Sequence, residues 1–291
     1  MKKLGFTYQT RYSFDIPIYK HYYTLKIFPR ESDRQYMETL FETMSYGDSH
    51  SYSLDAFGNR TVYGYMEKPH DQFQFKVSGV AVVDDTKKDT DDQFLSLFRA
   101  PSSMTRESAV LRDALKTACE MAQEQSCYHK EFDELTEIEK IMYLSDYCHV
   151  LLAYTPNVTN IYTDASEAIR LGKGVCQDYS HILIAFLRML HIPARYVVGF
   201  MMGEGYTHAW VEAWCDGCWH GVDPTNSKIV DEDYIKLSHG RDYNDTVVCK
   251  GHFYGQAKQT QEIKVQVWEK DCLGAVSYTH LRAHETSAHL V

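Results

Sequence analysis

The chain has 291 residues, of which 44% are hydrophobic and 24% charged, and its formal net charge is −10. This length allows two domains, and the acidic balance disfavours a nucleic-acid partner because like charges repel. No segment is long and apolar enough to cross a bilayer, no secretion signal follows Met1-Lys2-Lys3, and the eight cysteines are not densely spaced, so we expect a cytoplasmic protein with free thiols and no membrane partner.

Residues 1–83 are predicted to form an all-β N-terminal domain. Runs of alternating aromatic and β-branched residues are separated by turn signals such as Asp55-Ala56-Phe57-Gly58-Asn59. The predicted strands cover residues 6–12, 21–28, 36–44, 50–54, 61–66 and 72–83. Residues 84–92 are then nearly all charged, which is typical of a solvated segment. Residues 84–100 are therefore predicted to be a linker or charged loop.

Residues 101–270 are predicted to form an α+β domain. Helical periodicity occurs around Leu111, again from Leu135 to Leu152, and a short helix is predicted over 164–172. A third strong helix begins at Cys176, and strands follow over 194–200, 207–214 and 219–223. Helices followed by antiparallel strands indicate the α+β class. Residues 271–291 are expected to be a non-native or disordered tail, because 277–286 resemble a translated sequencing adaptor.

Cys176 is the strongest candidate for a reactive side chain. Apolar residues recur after it with the period of a helix, at Tyr179, Ile182, Leu183, Phe186, Leu187 and Leu190. The unpaired N–H groups and the positive dipole end of a helix N-terminus favour a thiolate over a thiol. We therefore predict that Cys176 is a nucleophile rather than an inert core thiol. Asp178, in the first turn, is predicted to complement the helix dipole and to support the site indirectly.

His208 and Asp223 are predicted to lie together on a β-hairpin. Asp216-Gly217 is a strong signal for a two-residue turn, so Cys215 is expected to lie opposite Cys218. In that register His208 and Asp223 project from the same face as diagonal neighbours, within side-chain reach. A thiolate needs a base and a group that orients the base, and this pair supplies both.

Other chemical interpretations find less support in the sequence. Cys215 and Cys218 have the spacing of two zinc ligands, but there is no second pair to complete a structural site. No EF-hand-like acidic loop and no phosphate-binding Gly-Lys-Ser/Thr motif occurs, so neither a metal nor a nucleotide cofactor is expected. His181, His191 and His220 are predicted to be structural.

Four segments, taken together, resemble the core of the bacterial transglutaminase-like superfamily, and they are specific as an ordered set. They are Gly172-Lys173-Gly174-Val175-Cys176-Gln177-Asp178, Ile192-Pro193-Ala194-Arg195-Tyr196-Val197, His208-Ala209-Trp210-Val211-Glu212 and Asp223-Pro224-Thr225-Asn226. The β-rich first domain with Asp55-x-x-Gly58-Asn59, and Gly240-Arg241-Asp242-Tyr243-x-Asp245 downstream, are similar to the same group. The resemblance extends over about residues 5–255.

The resemblance implies a papain-like α+β fold and a Cys-His-Asp triad at Cys176, His208 and Asp223. It further implies attack on the amide bond of a peptide or protein, through a thioester. The Cys176 N–H is expected to hold the oxyanion with a second donor, for which Tyr154 is a candidate, and an aromatic core role is the alternative for Tyr154. Hydrolysis by a protease or amidase is expected ahead of transamidation. A non-catalytic binding module with the same fold and a zinc-dependent structural protein stay open as alternatives, and the sequence is silent on oligomeric state.

Overall fold

The computed structural model describes residues 1–45, 47–125 and 130–270. The tail predicted at 271–291 lies outside these residues. The helices are α1 (Leu95–Arg99), α2 (Ala109–Gln125), α3 (Glu137–Leu151), α4 (Ala165–Leu171), α5 (Cys176–Met189) and α6 (Tyr243–Thr246). The strands are β1 (Lys2–Leu25), β2 (Gln35–Met44), β3 (Ser49–Leu54), β4 (Arg60–Met66), β5 (His70–Val83), β6 (Ala153–Tyr154), β7 (Lys173–Gly174), β8 (Ala194–Met201), β9 (Gly203–Gly205), β10 (His208–Cys215), β11 (Cys218–Asp223), β12 (Lys228–Ile229), β13 (Tyr234–Gly240), β14 (Cys249–Tyr254) and β15 (Gln259–Glu269).

The first sheet is organised around β1. The first part of β1 pairs with β5 and β15, and its last part pairs with β4 and β14. The pairing with β5 shifts register between Ser13 and Ile18, which is where Pro17 lies. Proline has no N–H for a ladder, so it is tolerated where the ladder is interrupted. The two strands predicted at 6–12 and 21–28 are therefore parts of one strand that bends and continues.

Two strands from the C-terminal part of the described chain complete the first sheet. β15 pairs with β1 from Phe14 to Leu4, and β14 pairs with the far end of β1. β9 pairs with β15 on the side away from β1. The division at 1–83, 84–100 and 101–270 stays a prediction, and the strand pairing shows that residues 249–269 share a sheet with residues 1–83.

The second sheet carries the helix that begins at Cys176. Its five strands are antiparallel and run in the order β12-β11-β10-β8-β13. α5 packs against β10 and β8, and its residues from Asp178 to Arg188 are all buried. This arrangement, a buried helix on an antiparallel sheet beside a β-rich first region, confirms the predicted α+β class.

A polar junction connects the two sheets, and a second one joins the charged segment to the second sheet. Asn59 donates from Nδ2 to the carbonyl oxygen of His239 over 2.8 Å and accepts from the His239 N–H at Oδ1 over 2.9 Å. Elsewhere Asp89, in the charged segment, reaches the buried guanidinium of Arg195 at 2.6 Å. Asn59 belongs to the Asp55-x-x-Gly58-Asn59 segment, so the structure gives this segment the role of a link between β-sheets.

Within the described ranges, none of the helices combines the length and the apolar character that a membrane crossing requires.

Candidate active site

The chain before Cys176 is shaped by two glycines. Gly172 ends α4 in the left-handed conformation, at φ 61°, with its N–H donating to the carbonyl oxygen of Ala168. A Cβ at Gly174 would lie only 2.7 Å from Cβ of Asp178, so a glycine is needed where the chain passes this side chain. Cys176 is then the first residue of α5 and is partly buried. Its position at a helix N-terminus, predicted from the sequence, is confirmed.

Asp178 holds the start of α5. Its Oδ2 accepts from the backbone N–H of Val175 and from Oγ1 of Thr159, both over 2.7 Å. The side chain is 1% exposed, and this burial raises the pKa of Asp178 despite the two donors. Asp178 thus accepts the hydrogen bond of a backbone N–H group just before the first helical turn. This contact fixes the position of the segment that carries Cys176.

The hairpin of β10 and β11 has the predicted register. Cys215 lies opposite Cys218, Val211 opposite Val222, and the two turn residues Asp216 and Gly217 both have positive φ. That conformation is typical of the tight turn that Asp-Gly favours. The register places Nε2 of His208 2.7 Å from Oδ2 of Asp223. The two side chains therefore share one face, as the spacing predicts.

Asp223 is fully buried and accepts hydrogen bonds at both oxygens. Besides His208, its Oδ2 accepts from Nδ2 of Asn226 at 2.7 Å and from the Tyr234 hydroxyl at 2.8 Å. Its Oδ1 accepts from the backbone N–H groups of Thr225 and Asn226 at 3.0 and 3.2 Å. Burial alone would raise the pKa of Asp223, but the contacts with His208, Asn226 and Tyr234 lower it below its usual value. The carboxylate is therefore charged at neutral pH and fixed in orientation.

His208 is the strongly perturbed base of the site. Burial alone would lower its pKa, but the hydrogen bonds with Asp223 and Cys176, together with their charges, raise the pKa of His208 to about 10. Cys176 therefore lies close enough to His208 to raise its pKa, while Asp223 holds Nε2 of the ring. The structure thus groups the three predicted residues, with His208 next to both of the others.

An open cleft of about 500 Å³ lies beside His208. Tyr154 is on its wall, because β6 pairs in parallel with β7 and sets Tyr154 next to Gly174. The Tyr154 side chain is 57% exposed, and its partial burial together with the charge of Cys176 raises the pKa of Tyr154. Tyr154 therefore keeps its proton and can donate it in a hydrogen bond. The remaining lining residues are His149, Leu152, Tyr179, Met201, Thr225 and Asn226.

Three side chains that the structure brings to the site have no role in the sequence-based prediction. Tyr234 comes from β13, and nothing in the local pattern connects it with Asp223. Asn226 follows Asp223 by three residues, and its position in the same turn as this carboxylate is the sequence signal that could have identified it. His149 lies in the last turn of α3 and has no motif around it. Among the described residues there is no group of three or more His, Cys, Asp or Glu placed to hold a metal ion.

Comparison with known proteins yields two family models. Residues 128–224 match the model described as the transglutaminase-like superfamily, and residues 4–82 match the bacterial transglutaminase-like N-terminal region. The first range contains Cys176, His208 and Asp223. The second covers the strands from β1 to most of β5.

One relative covers most of the chain, and another covers about half of it. An uncharacterised protein of Mycobacterium leprae is 25% identical over 283 residues, which are 92% of this chain and 99% of that protein. An uncharacterised protein of Mycobacterium tuberculosis is 32% identical over 157 residues, which are 47% of this chain and 50% of that protein. A crystal structure of a candidate cysteine protease from Cytophaga hutchinsonii has a TM-score of 0.74 at 20% identity and covers 98% of this chain and 95% of its own. That similarity shows a shared fold.

Proposed function

Since the chain belongs to the transglutaminase-like superfamily, we propose that it is an acyl-transfer enzyme in which Cys176, His208 and Asp223 act as a catalytic triad on an amide bond. The substrate is the peptide or glutamine-type amide of a peptide or protein. One observation carries the proposal: the imidazole of His208 is held at Nε2 by a buried carboxylate 2.7 Å away, and the neighbouring Cys176 contributes to its raised pKa. A base that is oriented in this way is what a thiol nucleophile requires.

In the acylation step the sulfur of Cys176 bonds to the amide carbon, and the C–N bond of the amide breaks. The proton held by His208 passes to the departing nitrogen, which leaves as an amine or as ammonia. Asp223 keeps its charge throughout and stabilises the imidazolium before this transfer. The product of the step is a thioester at Cys176.

The negative charge that develops on the carbonyl oxygen needs donors. The backbone N–H of Cys176 lies in the first turn of α5, where N–H groups have no acceptor within the helix. Tyr154, next to Gly174 and on the cleft wall, is the candidate for the second donor. Asp178 acts indirectly, since it holds the segment on which the Cys176 N–H lies.

Water resolves the thioester in the reaction that we propose. His208 accepts a proton from the water as its oxygen bonds to the thioester carbon, and the carbon–sulfur bond then breaks to release an acid and restore Cys176. Hydrolysis is favoured over transfer to an amine because the Cytophaga hutchinsonii protein of the same fold is described as a candidate cysteine protease. Transfer to an amine is the competing outcome of the same intermediate.

A glutamine-containing peptide with an excess of a primary amine tests the proposal. Mass spectrometry should find the acid product, formed by release of ammonia, in preference to the amine-linked product. A predominance of the amine-linked product would change the assignment from hydrolase to transamidase. If neither product forms and iodoacetamide alkylates Cys176 no faster than Cys119, a partly buried cysteine elsewhere, the catalytic proposal is wrong.

Two cysteine variants complete this experiment. Cys176→Ala should abolish both products, because it removes the nucleophile. Cys119→Ala serves as the matched control, since it removes a partly buried thiol on α2 and should leave turnover unchanged.

A further inference from the structure

His149 presents an unused hydrogen-bond acceptor to the cleft. It lies in the last turn of α3, is exposed, and lines the same cleft as His208. Its Nδ1 is 2.8 Å from the carbonyl oxygen of Thr225. No hydrogen bond links its Nε2 to a described residue, so this nitrogen is available to a molecule in the cleft.

The contact with Thr225 determines which ring nitrogen carries the proton. A carbonyl oxygen only accepts hydrogen bonds, so Nδ1 must be the N–H donor. A neutral imidazole has a single N–H, which leaves a lone pair on Nε2. In its neutral form His149 therefore presents Nε2 as an acceptor, and the contact with Thr225, in the loop that follows Asp223 and also carries Asn226, holds the ring in this orientation.

An amide in the cleft has one group that the triad does not satisfy. Its carbonyl oxygen accepts hydrogen bonds from the Cys176 N–H and from Tyr154, and the lone pair of its nitrogen receives the proton from His208. Its N–H needs an acceptor, and His208 cannot provide one while it holds the proton to be donated. Asn226 also lines the cleft, and its Nδ2 donates to Asp223, so its Oδ1 is the competing acceptor, and a probe preference that His149→Asn retains would point to it.

We propose that Nε2 of His149 accepts a hydrogen bond from the N–H of the amide that is cleaved at Cys176. This inference rests on the proposed function and narrows its substrates to amides that carry an N–H. Primary amides and ordinary peptide bonds fit the cleft, whereas the tertiary amide before a proline has no N–H to offer. His149 is thus a specificity-determining residue.

Two chloroacetamide probes test the proposal without requiring turnover. One is N-benzyl chloroacetamide, which has an N–H, and the other is its N-methyl derivative, which has none. With either probe the Cys176 thiolate displaces chloride and forms a thioether. The readout is the ratio of the two alkylation rate constants at Cys176, measured by peptide mass spectrometry and normalised to the ratio for glutathione.

Two substitutions separate contact with the probe from contact with the loop. His149→Asn retains a donor at the position of Nδ1, and so the contact with Thr225, but has no atom at the position of Nε2. His149→Gln places an amide at the position of Nε2 and loses the donor to Thr225. His252→Asn, on the exposed strand β14, is the matched control.

The wild-type protein should prefer the N–H probe by about tenfold, the worth of one hydrogen bond of about 1.4 kcal/mol. His149→Asn should lose this preference, His149→Gln should recover part of it, and His252→Asn should keep it. A wild-type protein without preference, or a preference that His149→Asn retains, overturns the proposal. Failure of the triad would appear separately, as a Cys176 that reacts no faster than Cys119, and the rate ratio at Cys176 would still decide the role of His149.

Discussion

His208 and Asp223 meet across a hairpin, with Nε2 of the imidazole 2.7 Å from Oδ2 of a carboxylate that is fully buried. The pKa of His208 is raised to about 10 and that of Asp223 is lowered, so the pair is an imidazolium and a carboxylate at neutral pH. A histidine with a raised pKa stabilises the fold fully below its unfolded value near 6.5, and this contribution is lost as the pH rises through about 10.

The first prediction concerns the alkaline limb of the pH profile. Because His208 must donate a proton to the leaving amine, kcat/KM should fall as the pH rises through about 10. Asp223→Asn removes the negative charge that supports the imidazolium, so the limb should move to lower pH. At neutral pH kcat/KM should fall by about 100-fold or more. Steady-state kinetics from pH 6 to 11 measures both effects, and an unmoved limb in Asp223→Asn would show that another group controls it.

The second prediction concerns the hydroxyl of Tyr234, which donates to Asp223 over 2.8 Å from a side chain that is 2% exposed. Tyr234→Phe should raise the pKa of Asp223, cost about 2 kcal/mol in the free energy of unfolding, and lower kcat/KM about tenfold. Urea unfolding and kinetics report the two effects.

Tyr143→Phe is the matched control for this change. The Tyr143 hydroxyl is also buried, but it donates to the carbonyl oxygen of Ala118 over 2.6 Å. This variant should lose stability and keep its kcat/KM. Equal losses of activity in both variants would argue that Tyr234 acts through general stability rather than through Asp223.

The third prediction concerns Gly174, whose added Cβ would lie 2.7 Å from Asp178. Gly174→Ala should displace the carboxylate that accepts from the Val175 N–H, destabilise the fold by about 1–3 kcal/mol and slow alkylation of Cys176. Thermal unfolding and iodoacetamide labelling measure these effects. Gly205→Ala, where an added Cβ meets no atom within 4 Å, should change neither, and a wild-type labelling rate in Gly174→Ala would contradict the argument.

Local patterns were sufficient to predict much of the site. The apolar period after Cys176 predicted the start of α5, and the Asp-Gly turn predicted the register that joins His208 to Asp223, because both depend on residues close in the chain. Tyr234 could not be predicted in this way. It reaches Asp223 only because β13 lies beside β8 in the second sheet, and that pairing is not encoded in any short segment.

In the first sheet, too, local residue patterns predict the strands but not how they pair. Its strands β1 to β5 were predicted as a β-rich region from alternation of residue types, although the continuity of β1 through Pro17 was not. The pairing of β1 with β15 joins residues separated by most of the chain. Alternation predicts that a strand exists, whereas its partner depends on packing of the whole molecule.

The fourth prediction concerns a charged cluster on the face of the second sheet that also carries His208, because Glu212 and His208 lie four residues apart on β10. Arg195 is 1% exposed and contacts Asp89 and Glu212, each at 2.6 Å, while Lys236 contacts Glu212 at 2.6 Å. Two basic side chains and two carboxylates meet there, and burial together with the charge of Arg195 lowers the pKa of Lys236 to about 7. Arg195 and Glu212 stood in the segments that carried the family resemblance, and the structure shows them in an ion pair with each other. Asp89, which lies in the charged segment before α1, supplies the second carboxylate of the cluster.

Asp89→Asn should remove the negative charge that contacts the buried guanidinium of Arg195 from the charged segment. Because the guanidinium of Arg195 is buried, the variant should lose about 2–3 kcal/mol in the free energy of unfolding. Urea unfolding should show this loss, and kcat/KM well below the transition should stay near the wild-type value, since the change does not touch His208 or Asp223. Asp92→Asn, an exposed residue of the same segment, should be neutral. If the two variants unfold at the same urea concentration, Asp89 does not anchor this segment to the second sheet.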